Sequence, residues 1–245
     1  MTAVVRCEEV SLCYRLATQR VPSLKEFAIQ ILRGALTYRE LWALRDVSFE
    51  VRRGEAVAIV GRNGAGKSTL LKVVSRILRP TTGRCATSGN VAPILELGSG
   101  FDPELTGREN IFLNALLLGH RRRAIRERLE AIIAFSELAE FIDSPLRNYS
   151  SGMRARLGFA IATAWFPEVL VLDEVFAVGD EAFALKCRQR MRSLQEEGTT
   201  LLLVTHQAAL VRATCSRALW LDRGRLRADG SPAEVLTAYQ RFSLR

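Results

Sequence analysis

At 245 residues and 48% hydrophobic content, the chain can bury one sizeable core and fits a compact α/β unit with a helical insertion. No apolar run approaches the roughly 18–20 residues that span a bilayer, and Met1 to Glu9 lacks a signal peptide's hydrophobic region, so a cytosolic protein is expected. The net charge of +9, carried mostly by arginine, fits nucleic acid and an anionic membrane leaflet equally well. Five cysteines (Cys7, Cys13, Cys85, Cys187 and Cys215) have neither Cys-x-x-Cys nor metal-ligand spacing. They read as small buried hydrophobes in a reducing compartment.

In chain order, residues 4–14 read as a short strand ending at Tyr14. Ser23-Leu24-Lys25-Glu26 is a capping box after Pro22, and Leu24, Phe27, Ala28, Ile31, Leu32 and Ala35 follow at helical spacing. With Lys25, Arg33 and Arg39 beside that stripe, the helix suits a membrane interface or packing on its own domain. Leu44–Val51 reads as the next strand.

Glu55–Val60 is an apolar, β-branched run after the turn Arg53-Gly54, as expected of a buried parallel strand. Then comes Gly61-Arg62-Asn63-Gly64-Ala65-Gly66-Lys67-Ser68-Thr69, which matches G-x-x-x-x-G-K-[ST], and a helical pattern follows. Strand, glycine loop and helix together let backbone N–H groups surround a β-phosphate. Glycine allows the chain to curl where a Cβ would obstruct the phosphates. Lys67 supplies a point charge to the β/γ-phosphates, and the Ser68 hydroxyl can ligate Mg²⁺.

Residues 98–165 are expected to form the helical insertion. Thr106-Gly107-Arg108-Glu109 is a capping box opening a helix over Glu109–Leu118, Arg121-Arg122-Arg123 reads as a solvated connection, and Arg126–Phe135 has amphipathic spacing. Tyr149-Ser150-Ser151-Gly152-Met153 opens a helix over Met153–Trp165, where serine hydroxyls and backbone N–H groups serve as an N-cap or an anion site.

Val169–Leu172 leads into Asp173 and Glu174, the order expected of a strand end that holds Mg²⁺ (Asp173) and polarises an attacking water (Glu174). A helix is expected over 181–197. Thr200–Thr205 is another apolar strand, followed by His206, one of two histidines. At the carboxyl end of a buried strand, His206 faces the ligand crevice or acts as a capped structural residue. Residues 218–245 read as a closing strand-turn-helix appendage.

Together these motifs resemble the nucleotide-binding subunit of an ATP-binding-cassette (ABC) transporter over nearly the whole chain. The glycine loop corresponds to Walker A, Val169–Asp173 to Walker B, Glu174 to the catalytic glutamate, His206 to the switch histidine and Ser150-Ser151-Gly152 to the signature motif. The resemblance implies a P-loop NTPase (RecA-like) core with an antiparallel β subdomain and a helical subdomain, in one domain over 1–245. It further implies ATP and Mg²⁺ as cofactors, Tyr14 stacked on adenine, and Asp180 in communication across a head-to-tail homodimer. In that dimer Tyr149–Met153 would face the γ-phosphate held by the opposite copy.

Three variants resemble the ATPases that export bacterial O-antigen polysaccharides and related teichoic acids and capsules: Tyr149–Met153, Asp173–Asp180 and Leu95–Asn110. That implies a membrane permease partner, a lipid-linked polysaccharide as complex substrate and a place on the cytoplasmic face of the inner membrane. Residues 15–41 would be a gate-type insertion, and Phe101–Asn110 the docking surface for the permease. No glutamine stands at 95–98, so Glu96 is only a candidate for that loop's usual contact. The rival is a soluble ABC ATPase acting on nucleic acid or ribosomes. Such proteins usually carry two cassettes in one chain or a long coiled-coil insertion, and neither is present in this sequence.

Overall fold

The computed structural model describes residues 2–17, 38–95, 100–173 and 181–243. The stripe from Leu24 to Ala35, Glu96, and Glu174 through Asp180 lie outside the described residues.

Strands β1 (Ala3–Ala17) and β2 (Tyr38–Arg52) form a long antiparallel pair, with Cys7 opposite Phe49 and Tyr14 opposite Leu41. Both run beyond the apolar segments that predicted them. The extra rungs, Arg15 opposite Glu40 and Leu16 opposite Arg39, carry exposed residues and no alternation. Backbone pairing maintains a strand there without a buried face.

Strand β3 (Ala56–Val60) is buried throughout and leads through the glycine loop into helix α1 (Lys67–Val74). Strand β4 (Thr82–Thr87) then joins β1, giving a three-stranded sheet in the order β2-β1-β4. The second sheet adds β5 (Val91–Ile94), β6 (Val169–Asp173), β7 (Thr200–Val204), β8 (Arg217–Asp222) and β9 (Arg225–Gly230). Its order is β5-β6-β7-β3-β8-β9, parallel except for the last pair.

Side-chain alternation divides each central strand between two cores. Val57, Ile59, Val169, Val171, Leu202 and Val204 face α1 and the antiparallel sheet. Ala56, Ala58, Val60, Leu170, Leu172, Leu201 and Leu203 face helices on the other side. Burial of both faces explains why these strands read as unbroken apolar runs. The parallel ladder brings Gly61, Asp173 and Thr205 to one carboxyl edge, where open α/β sheets bind ligands.

A third apolar cluster joins α2 (Gly107–Leu117), α3 (Arg122–Ser136) and α4 (Ser151–Ala162), with Ile111, Ile125, Ile132, Leu146, Leu157 and Ile161 inside it. The capping box is present: Thr106 Oγ1 accepts from Glu109 N, and Glu109 Oε2 accepts from Thr106 N. The helix therefore starts at Gly107, two residues before the predicted Glu109.

Two other expectations change. Arg122 and Arg123 form the first turn of α3 instead of a connection, with Arg123 paired to Glu127 one turn on. Nor is the C-terminal segment an appendage. Its run Ala218-Leu219-Trp220-Leu221 places β8 beside β3 within the main sheet, before α7 (Pro232–Ser243) covers that face. Between them, α5 (Glu181–Glu196) and α6 (Ala208–Thr214) complete the helical layer.

Candidate active site

The glycine loop is held by its neighbours on both sides. Ala65 O accepts from Gly224 N, whose own carbonyl accepts from Arg45 N, so the β8–β9 turn and β2 fix the loop together. Gly66 caps α1 in the left-handed region at φ 102°, and a Cβ there would meet Ala43 O at 2.5 Å. Any side chain at this position would meet both a strained backbone and that carbonyl, so glycine is required.

Lys67 is buried, and its ammonium donates to Gly61 O at 2.8 Å and Arg62 O at 3.1 Å. These carbonyls compensate a desolvated charge and hold it inside the loop. Ser68 and Asn63 are exposed, and Asp173 is half-buried at the end of β6.

These residues share one cleft of about 640 Å³, lined by Tyr14, Leu41, Trp42, Ala43, Asn63, Gly64, Gly66, Lys67, Ser68, Thr69, Leu95 and Asp173. Its volume and mixed lining suit a nucleotide. Phosphate would meet the loop and the start of α1, where backbone N–H groups and the helix dipole favour negative charge. Ser68 and Asp173 are hard oxygen donors, as Mg²⁺ requires. Among the described residues there is no cluster of three or more His, Cys, Asp or Glu side chains suited to a metal. This donor set fits an ion that draws its remaining ligands from phosphate and water.

Tyr14 and Trp42 both reach the cleft, from adjacent strands. The sequence alone does not bring Trp42 to the site, because its placement depends on the β1–β2 register. The exposed guanidinium of Arg45 lies 5.8 Å from the Trp42 ring centroid. His206 is exposed at the same sheet edge but lines a separate cavity of about 90 Å³ with Gly61, Thr205, Leu236 and Tyr239.

None of Tyr149–Met153 lines the nucleotide cleft. Tyr149 points inward, 4% exposed, with its hydroxyl donating to Phe141 O at 2.7 Å. A Cβ on Gly107 would meet that hydroxyl at 2.4 Å, so glycine lets α2 approach the tyrosine. Burial pushes the Tyr149 phenol above its ordinary pKa, keeping it a neutral donor. Arg108 joins Asp143 through both carboxylate oxygens, at 2.8 and 3.3 Å, and holds the Asp143 carboxyl below its usual range. Ser150 is the N-cap of α4, accepting from Met153 N at 3.1 Å. Ser150 and Ser151 are exposed, and Gly152 and Met153 are half-buried.

Asn110 has a structural task. Fully buried, its amide donates to Asp102 O, Leu105 O and Thr106 O, and its Oδ1 accepts from Asp102 N. It fixes the loop from inside, while Asp102, Pro103 and Glu104 remain exposed. The sequence signal was a polar residue one turn after the Thr106 cap.

Comparison with known proteins agrees with this geometry. Residues 44–177 match the family model described as ABC transporter. The chain is 52% identical over 213 residues to the O-antigen export system ATP-binding protein RfbB of Klebsiella pneumoniae, covering 87% of this chain and 85% of that one. It is 43% identical over 204 residues to the teichoic acids export ATP-binding protein TagH of Lactococcus lactis subsp. lactis (strain IL1403), covering 83% of this chain and 44% of that protein. Among solved structures, the ATP binding subunit of an ABC transporter superposes with TM-score 0.77 at 25% identity, over 97% of this chain and 93% of the other. A dimeric ATP-binding cassette, MJ0796 bound to ADP and Pi, has the same fold, with TM-score 0.75 at 21% identity over 93% of this chain and 98% of that one. The chain belongs to the ABC transporter family, and its fold is that of the ATP-binding cassette.

Proposed function

We propose that this chain is the ATP-hydrolysing subunit of an exporter of lipid-linked polysaccharide of the O-antigen type. The observation that carries the catalytic reading is Lys67, Ser68 and Asp173 on the wall of one cleft. The relatives named for O-antigen and teichoic acid export support the transport reading. ATP binds in the cleft, with its base against Tyr14 or Trp42 and its phosphates on Gly61–Thr69. Mg²⁺, held by Ser68 and Asp173, would neutralise phosphate charge there.

Lys67 and the loop N–H groups stabilise negative charge on the transferring phosphoryl group. Glu174 orients the attacking water and accepts its proton, and His206 supports the same step. Tyr149–Met153 of a second copy completes the site, chiefly through Ser151 and Gly152, and Asp180 couples the two halves. Closure drives a separate membrane permease from the cytoplasmic face of the inner membrane. In this reading nucleic acid is not a partner. Residues 1–245 act as one ATP-binding domain, with 15–41 as a gate-type insertion and 98–165 as a helical subdomain.

The test is Glu174→Gln. This variant should still bind ATP but turn over about 10²–10³-fold more slowly and elute as an ATP-dependent dimer in size-exclusion chromatography. Near-normal turnover would remove Glu174 as the base. Reconstitution with the permease, followed by transport of defined lipid-linked glycans, tests the cargo. ATPase activity that rises with nucleic acid and falls with salt would favour the soluble rival.

A further inference from the structure

Strands β1 and β4 bring two thiols face to face. Cys7 stands directly opposite Cys85 in the antiparallel register, and their sulfurs lie 2.6 Å apart across a sequence separation of 78. Their surroundings differ. Cys7 is 2% exposed, within the core between the two sheets. Cys85 packs against the same core but is only half-buried, on β4, an outer strand of β2-β1-β4 whose opposite face carries the exposed Arg84 and Ala86. Their shared hydrogen bond holds Cys85 below the ordinary thiol pKa and raises Cys7, which burial raises further. Elsewhere, burial pushes Cys187 and Cys215 up to about 12, so neither is a ready nucleophile.

We propose that Cys85 and Cys7 are a thiol–disulfide exchange pair that takes a small-molecule disulfide as oxidant, Cys85 attacking and Cys7 resolving. The Cys85 thiolate attacks one sulfur of oxidised glutathione, forms a mixed disulfide and expels one glutathione thiolate, which takes up the proton Cys85 released. Once held in the mixed disulfide, Cys85 no longer carries the charge or the hydrogen bond that opposes ionisation of Cys7. Cys7 can then lose its proton and attack the Cys85 sulfur. The mixed disulfide breaks, and the second glutathione leaves as a thiol. Overall, two protein thiols are oxidised to one disulfide and the small disulfide is reduced to two thiols.

The bond would close a loop containing Gly61–Thr69 and α1. Thr87 Oγ1, two residues beyond Cys85, already donates to Val74 O at the end of α1, at 2.7 Å. A disulfide would therefore fasten the segment leaving the phosphate loop to β1, which carries Tyr14. A long closed loop restricts the unfolded chain strongly, so oxidation should raise the urea midpoint.

The test exposes the reduced, folded full chain to oxidised glutathione, followed by peptide mapping without reductant. The expected product is one cross-linked pair of peptides containing Cys7 and Cys85, reversed by dithiothreitol, with a higher urea midpoint before reversal. Cys7→Ser should retain a glutathione adduct on Cys85, and Cys85→Ser should leave Cys7 unmodified. ATP binding checks the folding of both variants, and the wild-type map alone decides if either misfolds. A lasting adduct on wild-type Cys85, first modification at Cys13, or a link formed only in urea would overturn the proposal.

Discussion

The phosphate loop and the turn at Tyr149–Met153 both offer a helix start to an anion, yet they are built in opposite ways. The loop's supports come from the central sheet and β2, and it opens into a walled cleft. The turn's supports come from the helical cluster: Tyr149 is anchored on Phe141, and Ser150 spends its oxygen on the cap. Its outer residues lie outside the cleft wall. A ligand-sized cleft with a buried lysine can bind within one copy, whereas an exposed turn gains selectivity only when another surface covers it. The difference supports the proposed division of labour, with binding in the first region and closure at the second.

Lys67→Ala tests the first half of that division and carries the largest expected effect of the three substitutions that probe it. The substitution removes a buried cation whose charge-assisted bonds contribute about 1.5–3 kcal/mol, so ATP affinity should fall roughly 10–100-fold. Titration calorimetry on the isolated chain reads this directly, with thermal unfolding as the control for folding. Unchanged affinity would place the phosphates elsewhere in the cleft.

Ser151→Ala addresses the second half and should give a smaller, differently distributed effect. Ser151 is exposed and Ser150 supplies the cap, so folding and ATP affinity of one copy should be unchanged. Loss of one hydroxyl–phosphate contact in the closed pair should lower turnover about tenfold, equivalent to ~1.4 kcal/mol. Equal losses in affinity and turnover would erase the distinction between the two regions.

The loop was legible because its requirements are local: a strand, glycines that keep close quarters with β2, a lysine and a helix. Asp173 was legible for the same reason, at the end of an aliphatic run buried on both faces. What sequence left open depends on long-range pairing. Trp42 reaches the cleft because Tyr14 pairs with Leu41, and β8 is an inner strand because Val57–Val60 pairs with Arg217–Trp220. Asn110 could be read as part of a docking surface until its four bonds showed it facing inward. The direction of His206, towards the cavity beneath α7, likewise depends on packing beyond its own strand.

Tyr149→Phe isolates the anchor of the exposed turn and has the smallest expected effect. Removing the hydroxyl deletes one bond to Phe141 O while keeping the ring in its apolar surroundings, at a cost of about 0.5–1.5 kcal/mol. Urea unfolding should show that loss as a lower midpoint with an unchanged slope. Because Tyr149 lines no part of the cleft, ATP affinity should remain at the wild-type value. Turnover should fall by less than in Ser151→Ala, since the turn would still form but be held less firmly. If turnover fell further than in Ser151→Ala, position would matter more to closure than the outward hydroxyl, and the exposed half of the turn would lose its assigned priority.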